Sequence, residues 1–152
     1  MIAACARAGC ACLLALAAPS LQACEADSTA LFRCEAVNGR RFIELCAPSP
    51  LDAQTGYLLY RFGSLERFHA ATYTHGGVYT QSVRFASGGF GYTVFTRARG
   101  SEVLDAGVEV RDRRSGKTSI VSCSEIPRFY IYDLKGLVPC DAETPVGRAC
   151  VE

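Results

Sequence analysis

Apolar and polar residues alternate along much of the chain with a period of two, which puts every second side chain on one face of a β-strand. Residues 31–37 form one such run, Asn38-Gly39 follows, and residues 41–46 form the next. Asn-Gly between two alternating runs predicts a hairpin, because both residues tolerate the positive φ of a type I′ turn. Residues 57–62 are an aromatic and aliphatic run closed by Gly63. Residues 78–85 and 90–98 flank Ser87-Gly88-Gly89, a second hairpin signal. In residues 103–113, Val108 and Val110 alternate with Glu109 and Arg111, and Ser115-Gly116-Lys117 ends the run. Residues 118–123 and 129–132 make the last short runs, and residues 48–55 and 141–149 read as loops. Seven to eight strands with Gly-rich turns, and no amphipathic helix after residue 24, predict an all-β antiparallel barrel or sandwich.

The first residues break this pattern. One positive charge in residues 1–7 precedes an unbroken run of Ala, Gly, Cys and Leu over residues 8–18, then Pro19-Ser20 and Leu21-Gln22-Ala23. That order is the charged, apolar and small-residue sequence of a secretory signal, and the run is too short to span a bilayer as a helix. Residues 1–23 are therefore expected to be removed, leaving one β domain over residues 24–152, periplasmic or secreted. Without Arg7 the remainder carries 15 basic and 15 acidic side chains, 16 minus one against 15. A neutral domain with no basic run has no electrostatic reason to seek nucleic acid.

Export gives the cysteines their meaning. Cys24, Cys34, Cys46, Cys123, Cys140 and Cys150 remain after cleavage, an even six that predicts disulfides. Zinc is disfavoured because the mature chain has no C-x-x-C pair. Leu21-Gln22-Ala23-Cys24 also resembles a lipobox, which offers lipid anchoring through Cys24 as the alternative address. The even thiol count favours the soluble form. A two-residue Asn38-Gly39 turn would pair Val37 with Arg40, so that opposed residue numbers sum to 77. Cys34 would then face Ile43, Cys46 would face Leu31, and the two thiols would point to opposite faces. This register predicts that Cys34 and Cys46 reach to Cys24 or Cys123 and not to each other. Cys140 and Cys150, separated by a short polar loop, are expected to bond together.

The residues that could carry chemistry each have a plainer reading. His69 and His75, six apart, would sit roughly 20 Å from each other on an extended strand, too far for one metal ion. Gly63-Ser64-Leu65-Glu66 lacks the second glycine of a nucleophile elbow. Glu102, Asp105, Glu109 and Asp112 are close enough in sequence to suggest a glycosidase pair, but Glu109 alternates with valines as a solvent-facing residue does. Tyr57, Tyr60, Tyr130 and Tyr132 form a candidate binding patch. No catalytic residue, metal or cofactor is assigned.

Two stretches carry a resemblance. Cys24, Leu31-Phe32-Arg33-Cys34, Asn38-Gly39-Arg40 and Ile43-Glu44-Leu45-Cys46 make the first, and Gly56-Tyr57-Leu58-Leu59-Tyr60-Arg61-Phe62-Gly63 the second. They resemble a group of small exported proteobacterial proteins of unknown function. The chain is more loosely similar to envelope inhibitors of c-type lysozyme. Phe32-Arg33-Cys34 matches their aromatic-x-Cys element, and Ser87-Gly88-Gly89-Phe90-Gly91-Tyr92 is one residue longer than their Ser-Gly-x-x-Tyr loop. That resemblance implies an inhibitor loop at Ser87, Gly88 and Tyr92. The leading expectation is a non-enzymatic binding or accessory domain for an envelope protein or glycan. A lysozyme inhibitor and then a small hydrolase stand as alternatives.

Overall fold

The structure is a computed structural model that describes residues 24, 27–39, 41–51, 58–68, 71–75, 79–129 and 131–141. Among these residues the chain forms ten antiparallel strands in two five-stranded sheets. The first sheet has the order β10 (Arg128–Phe129), β1 (Ser28–Glu35), β2 (Phe42–Pro48), β3 (Leu58–Phe62), β4 (Ser64–Phe68). The second is a meander of β5 (Ala71–His75), β6 (Gln81–Ser87), β7 (Phe90–Arg99), β8 (Glu102–Asp112) and β9 (Thr118–Ser122). The sheets do not close into a barrel, so of the two architectures expected the chain adopts the sandwich.

The core is where the two inner faces meet. Phe32, Leu45 and Tyr60 stand opposite one another across β1, β2 and β3. Tyr73, Val83, Val94 and Val108 do the same across β5 to β8. All are buried in one apolar cluster. Burial of this order stabilises by roughly 1.5–3 kcal/mol per large aliphatic or aromatic side chain. Where the sheets meet, Tyr60 lies against Phe85 and Tyr92, with ring centroids 5.1 and 5.5 Å away. The sheets are also joined at one corner. Ala36 bridges Cys123, Val37 N donates to Ser122 O, and Ser124 N donates to Glu35 O.

The first hairpin keeps its expected register by a different turn. Cys34 pairs with Ile43 and Glu35 with Phe42, so opposed numbers sum to 77. Gly39 N donates to Ala36 O at 2.7 Å, and Gly39 alone takes a positive φ, 65°. The type I′ turn expected at Asn38-Gly39 is thus replaced by a wider loop closed by Ala36 N and Arg41 O. Widening the loop by one residue on each side leaves the sum unchanged. A bulge between Ala30 and Phe32 then shifts the register, and Cys46 faces Ala30 instead of Leu31. The second hairpin is the two-residue type I′ turn: Ser87 pairs with Phe90, and Gly88 and Gly89 have φ of 54° and 84°.

Three elements differ from expectation. β4 and β5 lie in a stretch where charged and hydroxyl residues interrupt the apolar pattern. The last aromatic run splits into β10 and a 3-10 helix, Ile131–Leu134. Ile131 and Leu134, three apart, eclipse on one side of that helix, are fully buried, and pack it against β1 and β6.

Candidate binding groove

The outer face of the second sheet carries a groove of about 780 Å³. Strand register builds it. Thr72, Arg84, Thr93 and Glu109 face one another in a row across β5, β6, β7 and β8. In the next row Ala86 pairs with Gly91 and Gly91 with Arg111. A methyl and a hydrogen therefore stand between longer side chains, and the floor is low there. A Cβ on Gly91 would have Arg111 O at 3.9 Å as its nearest neighbour, so the floor is open space.

One wall comes from the C-terminal segment. Tyr73 N donates to Pro139 O at 2.8 Å and Asp141 N to Tyr73 O at 3.0 Å, which lays this segment parallel to the β5 edge. Asp141, nearly fully buried, meets Arg84 Nη1 at 2.9 Å through Oδ2. Across the sheet in the same row, Glu109 on β8 accepts through Oε2 from Tyr79 OH at 2.6 Å. Burial first, and then this bond to a carboxylate, raise the Tyr79 phenol above its ordinary range and keep the proton on Tyr79. Tyr79 stacks on Phe95 at 4.3 Å, the Arg97 guanidinium lies over both rings, and Ala98 N donates to Thr80 Oγ1 at 2.7 Å. This closes the lower sheet face and leaves the groove above it.

The groove wall holds three arginines and two carboxylates. Both carboxylates are engaged within the protein, Asp141 by Arg84 and Glu109 by Tyr79. Arg111 and Arg113 are exposed and have no carboxylate partner among the described residues. Arg113 is held at the β8 end, where its N–H donates to Gly89 O at 3.0 Å. The geometry suits recognition by guanidinium and hydroxyl groups.

The residues singled out from sequence fall elsewhere. Tyr60 is 3% exposed and belongs to the core, so it cannot share a surface patch with Tyr132, which is 51% exposed. Tyr132 instead meets His75 edge-on at 5.9 Å and lies near Lys135 Nζ. Tyr57, Tyr130 and His69 lie outside the described residues. Ser87 and Gly88 lie at the exposed turn, but Tyr92 pairs with Phe85 on the core side and stacks on it at 5.4 Å. The carboxylates of β8 are parted. Asp105 meets Arg97 at 3.5 Å, and Asp112 accepts bonds from Arg114 N, Ser115 N and Ser115 Oγ. Those bonds hold the Asp112 carboxyl below its ordinary range. Glu102 is exposed at the β8 end. No group of three or more His, Cys, Asp or Glu among the described residues could hold a metal.

The disulfides are Cys24–Cys46 and Cys34–Cys123, with Cα separations of 5.9 and 5.6 Å. Cys140 is also disulfide-bonded, and Cys150, its expected partner, lies outside the described residues. In this structure the Cys24 sulfur, the atom a lipid thioether would need, is bonded to Cys46. Disulfides are compatible with an extracytoplasmic location. No helix among the described residues is long and apolar enough to cross a membrane.

Sequence reasoning passed over Arg84, Arg111 and Arg113. Arg111 and Arg113 follow Glu109 at a period of two, and Arg84 stands in β6, as residues of a solvated strand face do. What turns that face into a groove is the pairing of Ala86 with Gly91 and the arrival of Asp141, and both depend on register.

The fold and groove define a disulfide-stapled antiparallel β-sandwich with a cationic recess on one outer face. Comparison with known protein families, curated proteins and solved structures finds no match to the chain.

Proposed function

We propose that this chain is a non-enzymatic binding domain of the cell envelope, periplasmic or secreted, that holds its ligand in the groove of the second sheet. One observation carries the reading. Both carboxylates of the groove wall are bonded to groups of the protein itself, while Arg111 and Arg113 are left to an outside partner. Acid–base hydrolysis by a carboxyl pair needs two carboxyls in reach of substrate, and here only Glu109 has an oxygen to spare, whereas a binding site needs donors that are not already satisfied. The test fills the groove. Gly91→Leu projects a side chain into the open floor without backbone collision. Tagged wild type isolated from its native envelope should retain a small ligand that Gly91→Leu, folded to the same urea midpoint, does not. The released ligand should keep its mass after long incubation with fresh protein. Equal retention by the two proteins removes the groove, and a changed ligand mass makes the chain an enzyme.

A second reading, a periplasmic inhibitor of c-type lysozyme, draws support from the exposed Ser87-Gly88-Gly89-Phe90 turn, where the Phe90 ring is 42% exposed. Added protein should then slow lysozyme-driven clearing of a cell-wall suspension, and Phe90→Ala should weaken the effect. No slowing at a tenfold molar excess of protein ends that reading.

A further inference from the structure

We infer that the groove takes an acidic sugar, with its carboxylate or phosphate on Arg111 and Arg113 and its hydroxyls toward Glu109 and Thr72. The inference rests on the groove being the ligand site. The groove is polarised along its length. At one end Asp141 neutralises Arg84 at 2.9 Å, while Glu109, which accepts from the neutral Tyr79 phenol at 2.6 Å, keeps its negative charge. At the other end stand two exposed arginines, Arg111 near the end of β8 and Arg113 in the turn that follows it, both lining the groove. A planar guanidinium presents paired donors that match carboxylate and phosphate oxygens, and such charge-assisted bonds are the strong ones.

The Arg84–Asp141 pair is an internal instance of the same recognition, a carboxylate received on a groove arginine that stays 43% exposed. At the Glu109 end, Oε2 is engaged and Oε1 has no partner among the described residues, so it can accept from a hydroxyl. Thr72 adds a hydroxyl from β5. A ligand anionic throughout would meet Glu109 and Asp141, and a neutral one would leave the Arg111 and Arg113 end unused. An acidic group at one end and hydroxyls at the other fit both ends.

The probes are trigalacturonate, a phosphorylated mannose oligosaccharide and neutral chitotriose, titrated calorimetrically at low and high salt. At least one acidic probe should bind, chitotriose should not, and affinity should fall with salt. In Arg111→Gln/Arg113→Gln the acidic probe should lose at least about tenfold in affinity and most of its salt dependence. Which acidic probe binds decides between carboxylate and phosphate. Binding of neither, equal binding of chitotriose, or unchanged affinity in the double variant overturns the inference. The two levels separate through Gly91→Leu. Chitotriose binding that is lost in Gly91→Leu and kept in the arginine variant preserves the groove and removes the acid requirement. Binding of any probe that survives Gly91→Leu removes the groove itself.

Discussion

Cys34 stands directly opposite Ile43 across the first hairpin, yet its sulfur bonds to Cys123, 89 residues further along the chain. The bond ties the first sheet to the segment after β9, at the corner where Ala36 also bridges Cys123. Cys24–Cys46 closes a span of only 22 residues. In the chain-entropy model the longer loop stabilises by about 4.6 kcal/mol and the shorter by about 3.4. Each pair uses one buried cysteine of the first sheet, so truncation removes comparable packing from each. Cys34→Ala/Cys123→Ala should therefore lose about 1 kcal/mol more than Cys24→Ala/Cys46→Ala in urea unfolding. The opposite order would mean that the corner holds without its disulfide. Non-reducing peptide maps should also return Cys140 joined to Cys150.

Glu44 is nearly fully buried on the outer face of β2, between Arg33 on β1 and Arg61 on β3. Arg33 Nε lies 3.1 Å from Oε1, while Arg61 Nε is 3.6 Å from Oε2, which has no hydrogen-bond partner among the described residues. Burial raises the carboxyl above its ordinary value, and the attraction of Arg33 and then Arg61 offsets this only in part. A group whose pKa is raised on folding binds its proton more tightly in the folded chain. The stability this contributes is complete below the unfolded pKa and is lost as pH rises through the folded one. Glu44→Gln lacks that loss. As pH rises through and above the ordinary glutamate range, the wild type should lose stability relative to Glu44→Gln in paired urea titrations. A relative gain by the wild type would show that the arginines outweigh burial.

The hairpins and the disulfide partners were legible because they depend on local facts. Gly88-Gly89 can adopt the type I′ turn, and a pairing sum of 77 puts Cys34 and Cys46 on opposite faces whichever loop closes the hairpin. β4 and β5 were not legible, because Ser64-Leu65-Glu66-Arg67-Phe68 and Ala71-Thr72-Tyr73-Thr74-His75 hold too few apolar residues to show a period. Their strand state comes from pairing with β3 and β6. The groove was illegible for a stronger reason. Arg84, Gly91, Arg111 and Asp141 come from three strands and a C-terminal segment, and no spacing along the chain announces that they meet.

Gly107 marks a close backbone approach within the second sheet. It lies opposite Phe95 on β7 and Ser122 on β9, and an added Cβ would collide with the Val121 carbonyl oxygen and lie 3.0 Å from Ser122 Cα. Both obstacles are backbone, so neither can swing aside. Gly107→Ala should lose about 1–3 kcal/mol by forcing β8 and β9 apart. Gly91→Ala, whose Cβ meets only ordinary contact, should change stability by less than about 1 kcal/mol. Equal effects at the two sites would mean that β9 shifts freely, and amide exchange along Thr118–Ser122 would report that directly.

Cys24 decides what is exported. If residues 1–23 are a cleaved signal, the working protein begins at the residue whose sulfur is bonded to Cys46. One sulfur cannot carry both a disulfide and the thioether of a lipid anchor. Lipidation would strand Cys46, which is 1% exposed, as a buried thiol on the outer face of β2. It would also remove the 22-residue closure, worth about 3 kcal/mol in the chain-entropy model. Intact mass of the protein from its native envelope should therefore equal residues 24–152 less the hydrogens lost in disulfides, with no acyl increment. Reduction followed by thiol alkylation should then label Cys24. An acyl increment with Cys46 alkylated before reduction would reverse the assignment and place the groove on a membrane-tethered domain. A retained leader would instead remove the signal, and with it the export on which the envelope reading depends.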